Sequence, residues 1–134
     1  MESWSIKAIC ASVVALCASL LGGWDILAQA MLAVIVLDVA AGLLRAGYEK
    51  RLNSSCMRKG LFRKAGYFVA VLLAVMLDCS LFNHAPAART LVISYVIVNE
   101  SLSVLEHLAA MGVPLPAELK EMLMKLRNRQ QEKE

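Results

Sequence analysis

Charge is scarce in this chain, and it is missing over long runs. Only 19% of the 134 residues are charged, and none lies in Ala8–Trp24, Ile26–Leu37, Ala65–Leu77, Cys79–Ala88 or Thr90–Asn99. A soluble helical domain needs a polar face along each helix. Segments 8–23, 26–44 and 65–82 have none, which excludes an ordinary soluble bundle. Paired cysteines are lacking as well. Cys10, Cys17, Cys56 and Cys79 form no CxxC and show no metal-ligand spacing with His84 and His107, so neither a disulfide framework nor a zinc site is expected. Cys10 and Cys17 share a helix face and read as small buried hydrophobes. No glycine-rich phosphate loop, HExxH or nucleophile elbow is present. Nothing suggests an enzyme, and no cofactor is expected.

What remains is apolar. Hydrophobic residues make up 59% of the chain and its mean hydropathy is +0.60, well above the usual level for soluble domains. The expected fold is an all-α membrane protein of three to four transmembrane helices plus a C-terminal cytoplasmic amphipathic helix. The transmembrane domain is expected over 1–111, with segments at about 6–23, 26–44, 65–82 and 90–111. The first segment is short: about 16 uncharged residues at 1.5 Å each reach ~24 Å, less than a hydrocarbon core of ~30 Å. It either spans as the first of four helices or lies on the membrane and inserts conditionally. A cleaved signal peptide is not expected, because Lys7 is its only basic residue and no A-x-A site follows. The fourth segment stops at "GVPLP", where Gly112 suits a helix end and Pro114 and Pro116 forbid continuation. In the tail, 112–134, Leu119, Met122, Leu123 and Leu126 recur at helical spacing. Such a helix is amphipathic and is expected outside the bilayer core.

Orientation is read from the basic residues. The stretch 45–64 is expected as a cytoplasmic loop in which Arg45, Lys50, Arg51, Arg58, Lys59, Arg63 and Lys64 face one acid, Glu49. These seven are the topology determinants, since translocating them is costly. Four spans then put both termini inside and leave only Arg89 outside. The same stretch has a second reading, attraction to anionic lipid headgroups. Nucleic-acid binding is not expected, because a net charge of +3 beside the spans is explained without it.

Acids interrupt the apolar runs. Asp38, Asp78, Glu100 and Glu106 all fall inside expected spans, and an acid at a helix centre costs on the order of 3 kcal/mol on insertion. At 100° per residue Glu106, Asn99, Ser103, His107 and Glu100 share an arc of about 120°, with Tyr95 at its edge. Such a stripe faces protein or water rather than lipid. Asp38, Gly42 and Ala46 form a row of small residues around an acid, suited to close helix contact, and Ala11, Ala15, Ser19 and Gly23 repeat the device. Asp38, Gly42, Asp78, Asn99, Glu100, Ser103 and Glu106 are therefore the candidates for a helix interface or a pore. Arg89 is the one cation near a span that is expected to partner them.

The order of these features resembles the toxin-secretion and phage-lysis holin family, which includes the holin-like proteins of clostridial toxin loci. The resemblance runs through "LGGWD" (21–25), "LDVAAG" (37–42), "RKGLFRK" (58–64), Asp78, "NESLSVLEH" (99–107) and "GVPLPAELK" (112–120). Where that family usually reads S-I-L-E-N after "NE", this chain has Val104 and His107. The resemblance implies a non-enzymatic, multi-pass protein of the bacterial cytoplasmic membrane. It would self-associate in the lipid bilayer and open lesions that release an endolysin or a toxin. Two other functions remain open: a small four-span proton-coupled exporter, and a membrane anchor for a partner protein. An exporter resembling the small multidrug-resistance type would carry an acid in its first span, and Ala8–Gly23 has none.

Overall fold

The computed structural model describes residues 2–132, which form five helices: α1 (Glu2–Leu20), α2 (Ile26–Tyr48), α3 (Ser54–Leu81), α4 (Ala87–Ala110) and α5 (Ala117–Gln131). The first four are long and apolar enough to cross a membrane, and α5 stands outside that set. The fold is thus the all-α membrane architecture expected from hydropathy.

Local chemistry sets the boundaries. α1 ends at Leu20, before Gly22 and Gly23, which adopt φ +80° and +121°. Their left-handed backbone turns the chain toward α2, and few residues other than glycine enter that region. The Asp25 carboxylate caps α2 by accepting from the Ala28 N–H at 3.1 Å, and Asn53 caps α3 by accepting from the Ser55 N–H at 3.0 Å. Each cap satisfies a backbone donor that helix geometry leaves free. The basic stretch 45–64 differs from the loop expected of it. α2 runs on to Tyr48, supported by an Arg45–Glu49 ion pair at 3.0 Å, and α3 starts at Ser54, so only 49–53 connects the two helices. Hydropathy marks where a chain becomes polar, whereas a helix ends where its caps are.

α2, α3 and α4 make the packed body. Their shared core is Met31 and Ile35 from α2, Val71 from α3, and Ile93 and Val96 from α4, with Leu21 from the preceding turn. Buried positions on α3 are Lys64, Val71, Ala74 and Asp78, and those on α2 are Ala28, Met31, Ile35, Asp38 and Ala41. The threes, fours and sevens in this spacing mark one inward stripe per helix. α4 is central. It packs against both α2 and α3, and on its opposite side α5 folds back along it, with Leu126 and Arg129 beside Ala87, Leu91, Ser94 and Val98. In this structure the tail helix therefore lies against the helical domain rather than clear of it. α1 contributes no buried residue within its apolar span.

Candidate functional site: two ionic clusters bracketing an apolar core

The inward stripes carry charge at both ends. At one end Lys64 Nζ donates to Asp38 Oδ2 and to Glu100 Oε2, each at 2.6 Å. One ammonium from α3 thus ties α2 to α4. Glu100 is fully buried, and Lys64 and Asp38 are 7% and 5% exposed. His107 adds a fourth member, its Nε2 at 3.4 Å from Asp38 Oδ1. The ring lies over Gly42, where an added β-carbon would meet that nitrogen at an ordinary contact distance of 3.5 Å. Asp38 Oδ1, Glu100 Oε1 and His107 Nδ1 are buried and have no hydrogen-bond partner among the described residues.

Two carboxyl groups thus share one ammonium, with the His107 ring beside them. Burying an ion costs several kcal/mol, which its partner offsets only with good geometry. The Lys64 contacts supply that geometry. Nearby, Asn99 Nδ2 donates to the Tyr67 hydroxyl at 2.9 Å, adding a neutral tie between α4 and α3.

The other end is built around Arg89. Its guanidinium donates to both carboxylate oxygens of Asp25 at 2.8 Å, to the Gly23 carbonyl at 3.3 Å, and to the Leu21 carbonyl. This two-pronged pairing matches a planar fork to a carboxylate. The Arg89 hydrogen bonds hold the Asp25 carboxyl well below its ordinary value, helped by the Ala28 N–H. Asp78 completes the arrangement by accepting from the Ala88 and Arg89 N–H groups at 2.8 and 2.9 Å. It serves as the N-terminal cap that Pro86 cannot provide for α4. Along α4 the two clusters are eleven residues apart, about 16 Å, with the apolar core between them.

The expected site residues therefore divide. Asp38, Gly42 and Glu100 meet at the Lys64 cluster, with Ser103 on the floor of the adjoining cleft. Asp78 belongs to the opposite cluster, Asn99 pairs with Tyr67, and Glu106 is exposed. Of the seven basic determinants, Arg45 pairs with Glu49, and Lys50, Arg51, Arg58, Lys59 and Arg63 are exposed. Lys64 is the exception, and it corrects the expectation that Arg89 alone would partner the acids. The sequence did hold a signal for it. Counting back by sevens from Asp78 through Val71 along the inward stripe of α3 arrives at Lys64.

Comparison with known proteins supplies the remaining observation. The model of the bacteriophage holin family matches residues 15–128. An uncharacterized 14.9 kDa protein in the nagH 3' region of Clostridium perfringens is 40% identical over 108 residues, covering 81% of this chain and 82% of that one. YqxH of Bacillus subtilis is 32% identical over 102 residues, 76% of this chain and 72% of its own. A probable holin of Bacillus phage phi105 is 31% identical over 93 residues, 69% of this chain and 68% of its own. No solved structure is significantly similar.

Proposed function

Because the chain belongs to the bacteriophage holin family, we propose that it accumulates in the cytoplasmic membrane, self-associates, and opens lesions through which an endolysin or a toxin leaves the cell. Membership makes it a non-enzymatic, multi-pass membrane protein of pore-forming type. The orientation, the cargo and the opening step are the parts proposed.

The observation that carries the reading is the Lys64 bridge. In the closed bundle Lys64 holds Asp38 and Glu100 together between three helices. Polar groups at this depth are kept from lipid only by one another. If the helices separate within a monomer, the same groups must find water, and a lumen lined by several copies of α4 provides it. Glu100, Ser103 and His107 share one face of α4 with Val96 and Asn99, so a rotation or exchange of partners exposes them together. The cluster thus stabilises two arrangements, a closed monomer and an open assembly.

The basic residues favour an inward-facing 45–64 stretch, with Arg89 at the outer end. Thirty ångströms is about 20 helical residues. Counting from Arg89 and from Ile26 and Leu81, the inner hydrocarbon boundary falls near Ala109, Ala46 and Gly60. The Lys64 cluster then lies in the inner half of the bilayer. Glu118, Lys120, Glu121, Lys125, Arg127 and Arg129 beside a membrane-spanning α4 would cost on the order of 10 kcal/mol. In the bilayer α5 therefore leaves α4 for the cytoplasm, freeing the Leu91–Val98 side of α4 for lipid or a second copy.

The test is to express the chain with a cytoplasmic muralytic enzyme and follow culture turbidity and membrane potential. Abrupt clearing with collapse of the potential supports the proposal. Drug tolerance without leakage points to a proton-coupled exporter. Neither response points to a membrane anchor.

A further inference from the structure

Beside the Lys64 cluster, α2 and α3 diverge and leave a cleft of about 590 Å³, floored by Ser103 and His107 of α4. That volume lies within the range of about 300–1,000 Å³ typical of ligand sites. Its walls are apolar: Val39 and Leu43 from α2, Met57 and Leu61 from α3. Leu43, Met57 and Leu61 are 42–58% exposed, so no part of the described chain covers them. The charges on the lining, by contrast, are mostly basic. Arg51 stands at the loop end and Arg63 further along α3, and neither has a carboxylate partner among the described residues. The one acid on the lining, Asp38, is already held by Lys64.

We propose that this cleft binds one anionic phospholipid, with its phosphate at the loop end and an acyl chain running along the α2–α3 walls into the bilayer. Charge and depth together favour that occupant. With the inner hydrocarbon boundary near Gly60 and Ala46, Arg51 is level with the headgroups, and Arg63 reaches that level by extending its long side chain toward the interface. The apolar walls continue upward from there to Val39, inside the hydrocarbon. A zwitterionic lipid fits the same walls but gains less from two unpaired guanidinium groups. Basic clefts between membrane helices on the cytoplasmic side suit anionic headgroups. Such a lipid would wedge α2 from α3 beside the Lys64 bridge that ties both to α4, so its presence would set how readily the bundle opens. The site rests on the proposed orientation but not on lesion formation.

Gly60 makes the site separable from a diffuse attraction of basic residues to an anionic surface. It lines the cleft, and a β-carbon there meets nothing within 4 Å. Gly60→Phe therefore fills the cleft without altering charge. The full chain, purified in mild detergent, is offered dioleoyl phosphatidylglycerol or dioleoyl phosphatidylcholine, and retained lipid is read by native mass spectrometry. The expected result is retention of one phosphatidylglycerol per chain, about tenfold over phosphatidylcholine. Gly60→Phe and the Arg51→Gln/Arg63→Gln pair should each abolish that preference. Arg58→Gln/Lys59→Gln, which removes the same charge from residues off the cleft, should leave it unchanged. Excess inorganic phosphate should not displace the lipid. Equal retention of the two lipids, equal loss in both arginine and lysine variants, indifference to Gly60→Phe in a protein of wild-type helicity, or displacement by phosphate would each overturn the proposal.

Discussion

Replacing Lys64 by methionine keeps the length of the side chain and removes its charge with two hydrogen bonds of 2.6 Å. At an effective dielectric of about 20, each contact is worth on the order of 6 kcal/mol before desolvation is set against it. Lys64, Asp38 and Glu100 are all nearly or fully buried, so desolvation removes much of that sum. Breaking such a pair from one side typically costs about 3–5 kcal/mol, because the carboxylates are left buried and unpaired. Lys64→Met should therefore destabilise the purified protein by about 3–5 kcal/mol, measured as thermal loss of helical circular dichroism in detergent. In cells it should bring lysis forward at equal membrane abundance, because the closed arrangement is weakened. The decisive comparison is the triple variant Asp38→Asn/Lys64→Met/Glu100→Gln, which removes the stranded charges and should regain most of the lost stability. That non-additivity is the signature of groups acting as one network. A Lys64→Met protein as stable as the parent, or a triple variant no more stable than Lys64→Met, would refute the reasoning.

The Arg89 end yields two further expectations, and α3 a third. Gly22 has φ +80°, and a β-carbon there would stand 2.8 Å from Arg89 Nε and 3.0 Å from a Val75 methyl. Gly22→Ala should lower the unfolding temperature by more than its backbone cost of about 1–2 kcal/mol alone implies. Gly66→Ala, in α3 with open space around it, should instead stabilise by up to about 1 kcal/mol. Asp25 is held below its ordinary value of 3.8 by the Arg89 hydrogen bonds. A carboxyl depressed in the folded state contributes stability that is complete above 3.8 and fades as pH falls below it. Asp25→Asn should thus lower the unfolding temperature at neutral and mildly acid pH and lose its effect in strong acid. A constant difference down to strong acid would count against the pairing.

Much of the fold was legible because hydropathy and breakers speak locally. The Gly112 and Pro114–Pro116 stop preceded α5 where expected, and the uncharged runs marked four helices. The segment boundaries were less legible. The spans expected at 26–44 and 65–82 are the apolar portions of longer helices, whose ends depend on Glu49 and Asn53 rather than on polarity. The acids stood out at once, since nothing local stabilises Asp38 or Glu100 in an apolar run. Their partner did not, because Lys64 sits among six other basic residues and is told from them only by helical register. Asp78 shows a different limit. As an acid within a span it was visible, but its role as the cap of α4 depends on the chain returning across "NHAPAA", which no pattern within α3 encodes. Glu106 lies at the opposite edge of the polar arc of α4 from Glu100 and is exposed, while His107, its neighbour, still meets α2.

The proposed opening step keeps the Glu100 face of α4 closed inside the monomer before triggering and turns it to water in the lesion. Val96, one turn from Glu100 on that face, is 1% exposed. With Cys10, Cys17, Cys56 and Cys79 changed to alanine and Val96→Cys introduced, a membrane-impermeant maleimide applied to cells before and after clearing reports on that face alone. Opening of this kind requires protection before lysis and rapid labelling after it. Labelling that is equal at both times, or absent from cells that have lysed, would contradict it.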